Sequence, residues 1–518
     1  MTLPPLSQDL PLARSVADTL RERILRGVLP PGARLPSSRR LAGDLGVSRT
    51  TILTAYESLK AEGYLTSRTG SGHFVAEDLP LPPAVPRQVA PPAKSDRADW
   101  AAHRLSQWGM RAVEHSSQRV LAGQAGMRPR IRYDFLFGLS LTDSFPHAAW
   151  KRAVKAVLDD RRRWPDLLRY QQPQGSPALR SAVAQWLRDH RGIAPEGREV
   201  LITNGSQQGI ELSLRLLVDP GERVAMEDPG YGGFREVLNA LGAEAVPLPV
   251  DDQGPRIDLL PDLEPPVRGV CVTPSHQFPT GVVLSLNRRM DLLRWARETN
   301  AWILEDDYDS EFRYGDRPLP ALAGADLEGR VIYLAGFSKA LFPALRLGFV
   351  SAPRSLFPAF VRAREVVDRH GPGLEQEALA RWMADGAFGR HLRRIRTLQA
   401  ARREALVIAL KDHFGARIRI TGAEAGIHLV AWFPEHDQSS MALWSKRAEA
   451  QGVRALPIGR HFATVNPPAG FILGYAGIDR EDIAEGIRLL SSIEPPLPPL
   501  PSVKVREPEP ETGSASGR

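Results

Sequence analysis

The chain has 518 residues, with 67 Lys and Arg against 60 Asp and Glu, a formal net charge of +7 at pH 7. Hydrophobic residues make up 42% and charged residues 25%, globular values that exclude a wholly disordered chain, and the length asks for at least two domains because one core stops growing at roughly 250–300 residues. One cysteine, Cys271, excludes an internal disulfide framework and any multi-thiolate metal site, so no metal is expected.

The opening Met1–Asp9 has no basic start and no apolar run, so no secretory signal is expected, and no run of about 20 apolar residues predicts a membrane span. A cytoplasmic protein is the expectation. Leu12, Val16, Leu20 and Ile24 keep a four-residue spacing that predicts an amphipathic helix ending near Gly27. Pro36-Ser37 opens a short second helix stopped by Gly46, and Ser48 caps a third whose Ile52, Ala55 and Leu59 face inward until Gly63. Tyr64–Thr66 and His73–Val75 read as two short strands joined by Arg68-Thr69-Gly70-Ser71-Gly72. In a helix-turn-helix the start of the second helix faces base edges while other groups clamp phosphate. Here that start is Ser48-Arg49-Thr50-Thr51, with Arg39 on the preceding helix.

Six of the fifteen residues from Leu79 to Ala93 are Pro, which predicts an extended linker over 79–130. From Ile131 to Ile493, β-rich runs (Glu199–Thr203, Arg223–Glu227, Gly269–Thr273, Trp302–Glu305, Val331–Leu334) alternate with helical patterns such as Gln207–Leu217 and Leu286–Thr299. That alternation predicts a parallel sheet flanked by helices, with Cys271 an inert core residue. The segment 494–518 carries seven Pro and no aromatic residue, and reads as a disordered tail.

Four features of the large region point to one ligand. Asn204-Gly205-Ser206-Gln207-Gln208 follows a strand and opens a helix, a positive end suited to phosphate. Trp302-Ile303-Leu304-Glu305-Asp306-Asp307-Tyr308 sets carboxylates at the end of a buried strand, where Asp306 needs a partner such as a protonated ring nitrogen; Asp309 and Glu311 read as a solvated acidic loop. Gly336-Phe337-Ser338-Lys339 follows another strand, placing an amine that could condense with an aldehyde, and Arg346 can fork onto the same phosphate. Glu227-Asp228-Pro229-Gly230-Tyr231 brings a ring that could stack on a planar cofactor.

Two resemblances follow. Leu35-Pro36-Ser37-Ser38-Arg39, Leu45-Gly46-Val47-Ser48-Arg49-Thr50-Thr51, Glu62-Gly63-Tyr64 and Gly70–Val75 resemble the winged helix-turn-helix of the GntR family of transcription regulators, although His73 stands where Thr is usual. This implies that Arg39, Ser48, Arg49, Thr50, Thr51 and Gly70 meet double-stranded operator DNA. The four features, with Tyr170–Gly175 and Thr273–Gly281, resemble the fold-type I, aspartate-aminotransferase-like family that binds pyridoxal 5′-phosphate. That resemblance implies an α/β domain with a large, mostly parallel sheet and a smaller C-terminal α+β subdomain. It implies that Lys339 forms a Schiff base with the cofactor, Asp306 pairs with its pyridine nitrogen, Tyr308 reaches its ring oxygen and Tyr231 stacks on it. Gly205, Ser206, Gln207, Ser338 and Arg346 would surround the phosphate, with Tyr170 reaching that of a neighbouring subunit in a homodimer. A module of each kind in one chain resembles the MocR subfamily. The expected organisation is 1–78 for DNA binding, 79–130 linker, 131–493 effector domain and 494–518 tail.

The chain departs from the enzymes of that family. Phe278 precedes Pro279-Thr280-Gly281 where an Asn is usual, and Gly336 replaces a hydroxyl residue. Phe471–Ala476 lacks the arginine that aminotransferases aim at a substrate carboxylate, and Gly233 lacks one found in some amino-acid-sensing relatives. Arg460 is the remaining candidate for an effector carboxylate. The expectation is a regulator that senses pyridoxal phosphate or its imine with a small amino compound; the alternative is a working aminotransferase that carries a DNA-binding domain.

Overall fold

The computed structural model describes residues 11–68, 71–79, 105–114, 131–138, 144–314 and 320–497. The chain divides into two compact units, Met1–Asp99 and Trp100–Arg518.

The small unit has three helices, Leu12–Leu25, Ser38–Leu45 and Arg49–Ala61, followed by the antiparallel strands Leu65–Arg68 and Gly72–Val75. Val16, Leu20 and Ile24 from the first helix meet Leu41, Ile52, Tyr56 and Leu59 in one core. Ser37 and Ser48 cap the second and third helices, their hydroxyls accepting the backbone N–H groups of Arg40 and Thr51. Gly46 closes the second helix at φ 66°, a left-handed conformation that favours glycine. His73, where Thr was expected, is drawn inward: its Nδ1 lies 3.1 Å from the Ser67 hydroxyl and its ring 4.9 Å from that of Tyr56.

The large unit is built on an eight-stranded sheet. Arg198–Thr203, Arg223–Asp228, Glu244–Asp251, Gly269–Val272, Trp302–Asp307 and Val331–Gly336 run in one direction, while Gly348–Pro353 lies antiparallel between the first and last of these and the short strand Gly254–Pro255 lies antiparallel at the edge beside Glu244–Asp251. The sheet is therefore mixed, and mostly parallel. Its central strands are buried on both faces, which explains why they do not alternate with polar residues. Cys271 lies in this core at 1% exposure, and burial pushes its thiol well above the ordinary range. A second, antiparallel sheet of Arg419–Thr421, His428–Trp432, Leu456–Pro457 and Gly470–Gly474 packs around Trp444, Phe433 and Phe471.

Within 79–130 the described residues include the helix Gln107–Glu114, whose Arg111 guanidinium lies against Gly242. The remainder of the expected linker, apart from Leu79 and a few flanking residues, lies outside the described residues, as does the expected tail beyond Leu497. Glu494 accepts hydrogen bonds from Arg417 at 2.8 Å and lies 3.0 Å from His436, so the folded contacts reach past 493. No helix among the described residues is long and apolar enough to cross a membrane.

Candidate functional site

Parallel strands deliver the residues that follow them to the same edge of a sheet, which is where open α/β sheets bind ligands. Five such ends bring Asn204–Gln207, Glu227–Tyr231, Thr273–Phe278, Asp306–Tyr308 and Ser338–Lys339 to one edge. The Lys339 amine donates to the Gly138 carbonyl at 3.2 Å, and loss of water lowers its pKa from the ordinary lysine value. Asp306 is 4% exposed, and its Oδ1 has no hydrogen-bond partner. Burial, with Asp307, Asp309 and Glu227 nearby, pushes its carboxyl up to about 8, against the pull of Lys339. An acceptor left unpaired in such a place calls for a donor carrying positive charge.

The anion cradle forms at the helix Ser206–Leu217, whose first turn has no side-chain cap. Gly205 stands before it at φ 80°, and a Cβ there would lie 2.9 Å from Arg346 Nη2. Arg346, itself at φ 51°, turns back to donate to the Asn204 carbonyl at 2.8 Å. Behind this loop, the buried Arg364 bonds Gln208, while Asp368 accepts from the side chains of Asn204 and Gln208 at 3.1 and 2.8 Å. Tyr231 donates to Gln207 at 3.1 Å. A Cβ on Gly233 would lie 2.2 Å from the Tyr231 ring, so this site excludes a side chain at 233 unless Tyr231 moves. Ser206 and Ser338 are partly buried beside the cradle, and Tyr170 is 88% exposed, with its ring 5.9 Å from that of His370.

The expected solvated acidic loop is a correction. Asp309 is 1% exposed and lies 2.9 Å from His276 Nδ1, and burial beside Asp307 pushes Glu311 up to about 8. The segment after the strand is held in place, with Phe312 N–H donating to the Asp309 carbonyl and Arg313 bridging to Ala425. His276 also lies 3.0 Å from the Tyr308 hydroxyl, so it joins a group that the sequence spacing does not reveal. Phe278 packs against Phe137, Tyr231, Tyr308, His428 and His461 with ring centres 5.0–5.8 Å apart. Burial drives both His428 and His461 down to about 3, leaving them neutral. Arg460 is exposed next to His461, on the short turn Ile458–His461. The strand Gly470–Gly474 is apolar and ends at the buried Tyr475, which donates to the Gly426 carbonyl at 2.8 Å; that end carries no cation.

In the small unit, Arg39, Arg49 and Thr50 are exposed together around the start of the third helix, and Arg49 Nε donates to Ser38 at 3.3 Å. Ser48 and Thr51 are engaged with each other, hydroxyl to hydroxyl at 2.8 Å, as part of the helix cap. Gly70 lies outside the described residues.

Residues 12–75 match the model for bacterial regulatory proteins of the gntR family, and residues 140–490 that for aminotransferase class I and II. The chain is 39% identical to a probable rhizopine catabolism regulatory protein MocR of Rhizobium meliloti, over 93% of this chain and 94% of that one. It is 33% identical to a 2-aminoadipate transaminase of Thermus thermophilus over 70% of this chain and 90% of the enzyme. Among solved structures, an α-aminoadipate aminotransferase from Thermus thermophilus complexed with N-(5′-phosphopyridoxyl)-L-leucine is 28% identical, with a TM-score of 0.66, covering 76% of this chain and 98% of that one. A multiple substrate aminotransferase from Thermococcus profundus gives 0.68 at 27% identity, over 77% and 98%. An N-terminal gntR-type module and a complete fold-type I domain, in one chain aligned along nearly its whole length with a MocR protein, place this protein in the MocR subfamily of GntR transcription regulators, whose large domain is of the pyridoxal-phosphate-binding type.

Proposed function

We propose that the protein regulates transcription by binding operator DNA through its small unit while its large unit senses pyridoxal phosphate, alone or joined to a small amino compound. The observation that carries this reading is the pairing of a desolvated Lys339 with Asp306, whose buried oxygen lacks a donor, in a chain that also holds a helix-turn-helix.

When bound, pyridoxal phosphate supplies an aldehyde that condenses with amines and a ring that withdraws electrons. Lys339, its pKa lowered by burial, would supply the amine that joins the aldehyde. Asp306 would accept a hydrogen bond from the protonated ring nitrogen, whose positive charge would favour the ionised carboxylate. The N–H groups opening Ser206–Leu217, with Arg346, hold the phosphate. Tyr231 covers the ring, and Tyr308 meets its oxygen. Tyr170, which is exposed, would reach into a second copy of the chain, making the homodimer part of the proposal.

Regulation is favoured over turnover by what lines the remaining space. Phe278 and the neutral His428 and His461 present apolar and imidazole surface, and no arginine comes from 233 or from the end of Gly470–Gly474. Among the described residues Arg460, exposed beside His461, is the candidate to orient a substrate carboxylate, and poor orientation costs rate steeply. Footprinting of DNA upstream of the gene, with and without pyridoxal phosphate and candidate amines, tests the proposal. A protected region that changes with the cofactor supports it. Identical footprints in every condition, or robust steady-state transamination abolished by Lys339→Ala, would replace it.

A further inference from the structure

His276 presents one nitrogen to two oxygens. Its Nδ1 lies 2.9 Å from Asp309 Oδ2 and 3.0 Å from the Tyr308 hydroxyl, while its Nε2 is buried without a partner. The ring is wedged between two glycines. A Cβ on Gly426 would lie 2.1 Å from its Cε1, and one on Gly281 2.8 Å from Nε2. A carboxylate only accepts hydrogen bonds, so the Nδ1 that faces Asp309 carries the hydrogen. The lone pair that could have accepted from Tyr308 is then absent. The phenol oxygen can only receive from Nδ1–H, and its own proton must point elsewhere.

We propose that the buried His276–Asp309 pair is a positioning device that turns the Tyr308 hydroxyl outward as a donor toward the cofactor's ring oxygen. The inference rests on the reading that Tyr308 faces that oxygen, and it adds which way the hydrogen points and what fixes it. Burial, with Asp306 and Asp309 on its own segment and Glu227 and Tyr475 across from it, raises the Tyr308 phenol well above its ordinary value. The ring facing it from the second sheet, His428, is neutral. Tyr308 therefore keeps a proton to donate. Lys339 is the cation in this surround, and it lowers the pKa of Asp306.

A donor to the ring oxygen stabilises its negative charge most when the Lys339 nitrogen joined to the cofactor has lost its own proton. The donor thus lowers the pH at which the bound chromophore titrates. A hydrogen bond to a charged group is worth enough to move such a midpoint by about one to two pH units.

The test is a spectrophotometric pH titration of the cofactor-loaded full chain, with loading checked by borohydride reduction and mass spectrometry. Tyr308→Phe and His276→Leu should each raise the midpoint by about one unit or more, and the double variant should shift no further than Tyr308→Phe alone. His276→Asn, whose amide N–H can stand near Nδ1, should restore the wild-type midpoint. Asp309→Asn, similar in shape but unable to fix the proton on Nδ1, should move it upward, and it serves if His276→Leu does not fold. If Tyr308→Phe leaves the midpoint in place, the reading of Tyr308 itself fails. If Tyr308→Phe moves it while His276→Leu and Asp309→Asn do not, or if the His276 and Tyr308 effects add, the positioning role is overturned.

Discussion

Asp306 is where burial and charge disagree most. Its carboxyl sits at about 8 in the folded chain against an ordinary 3.8, so the folded state binds the proton more tightly than the unfolded state does. The sign follows by linkage: below the unfolded pKa the buried acid is neutral in both states and carries no ionisation cost. Stability then falls as pH rises from about 4 to about 8, and is flat above. Glu227, pushed up to about 7 by burial, contributes in the same direction. The cofactor-free protein should therefore lose Tm across this window, and Asp306→Asn should flatten the fall; a slope unchanged in that variant, measured by thermal unfolding in buffers across this range, would count against the buried acid. The residue-level chemistry was only partly legible in the sequence. Lys339, Asp306 and Arg346 follow strands, and strand ends mark ligand edges. His276 and Asp309 are 33 residues apart and meet only because two neighbouring strands, Gly269–Val272 and Trp302–Asp307, end side by side. Nothing in either local pattern announces that contact, and the run of acids after Asp306 looked like solvent-facing charge until the chain was folded.

Helix beginnings organise both halves of the protein, but with opposite fillings. At Arg49–Ala61 the first turn is satisfied internally by Ser48, whereas at Ser206–Leu217 Gly205 leaves the N–H groups open. Ser48→Ala should cost roughly 1 kcal/mol of small-unit stability, as loss of a cap does, visible in thermal unfolding. Arg49→Ala should leave that stability alone and weaken DNA binding, and the slope of log K against log salt should shrink by about 0.9 for each phosphate contact removed. Equal loss of stability in both variants would mean that Arg49 is structural. At the other helix, Gly205→Ala places a side chain at φ 80° against Arg346. Left-handed strain of about 1–2 kcal/mol corresponds to roughly tenfold weaker binding of pyridoxal phosphate, while pyridoxal lacking the phosphate should bind as before. Caps and apolar spacing made the three helices of the small unit, two helices of the large one and five of its sheet strands readable, often to within a residue or two. The antiparallel strand Gly348–Pro353 was not, because a strand buried on both faces has the same apolar look in either direction.

At the scale of the molecule, the chain combines an apparatus for reading DNA with one for holding an aldehyde, and the account joins them through a single lysine. A ligand shifts a DNA-binding equilibrium only as far as it prefers one arrangement of the protein over another, so an effector that binds without altering the footprint would have no regulatory role. Two domains, a Pro-rich stretch between them and a paired set of ligand motifs were legible from composition and order. The amino partner was not, because Phe278, His428 and His461, which pack together near the site, come from three separate segments and carry no charge signature. The most direct measurement is mass spectrometry of the purified full-length protein after incubation with pyridoxal phosphate and borohydride. A Schiff base at Lys339 predicts a yellow protein and a reduced pyridoxyl adduct on the peptide containing that lysine, both absent in Lys339→Ala. A colourless wild-type protein, or an adduct found only on other lysines, would contradict it.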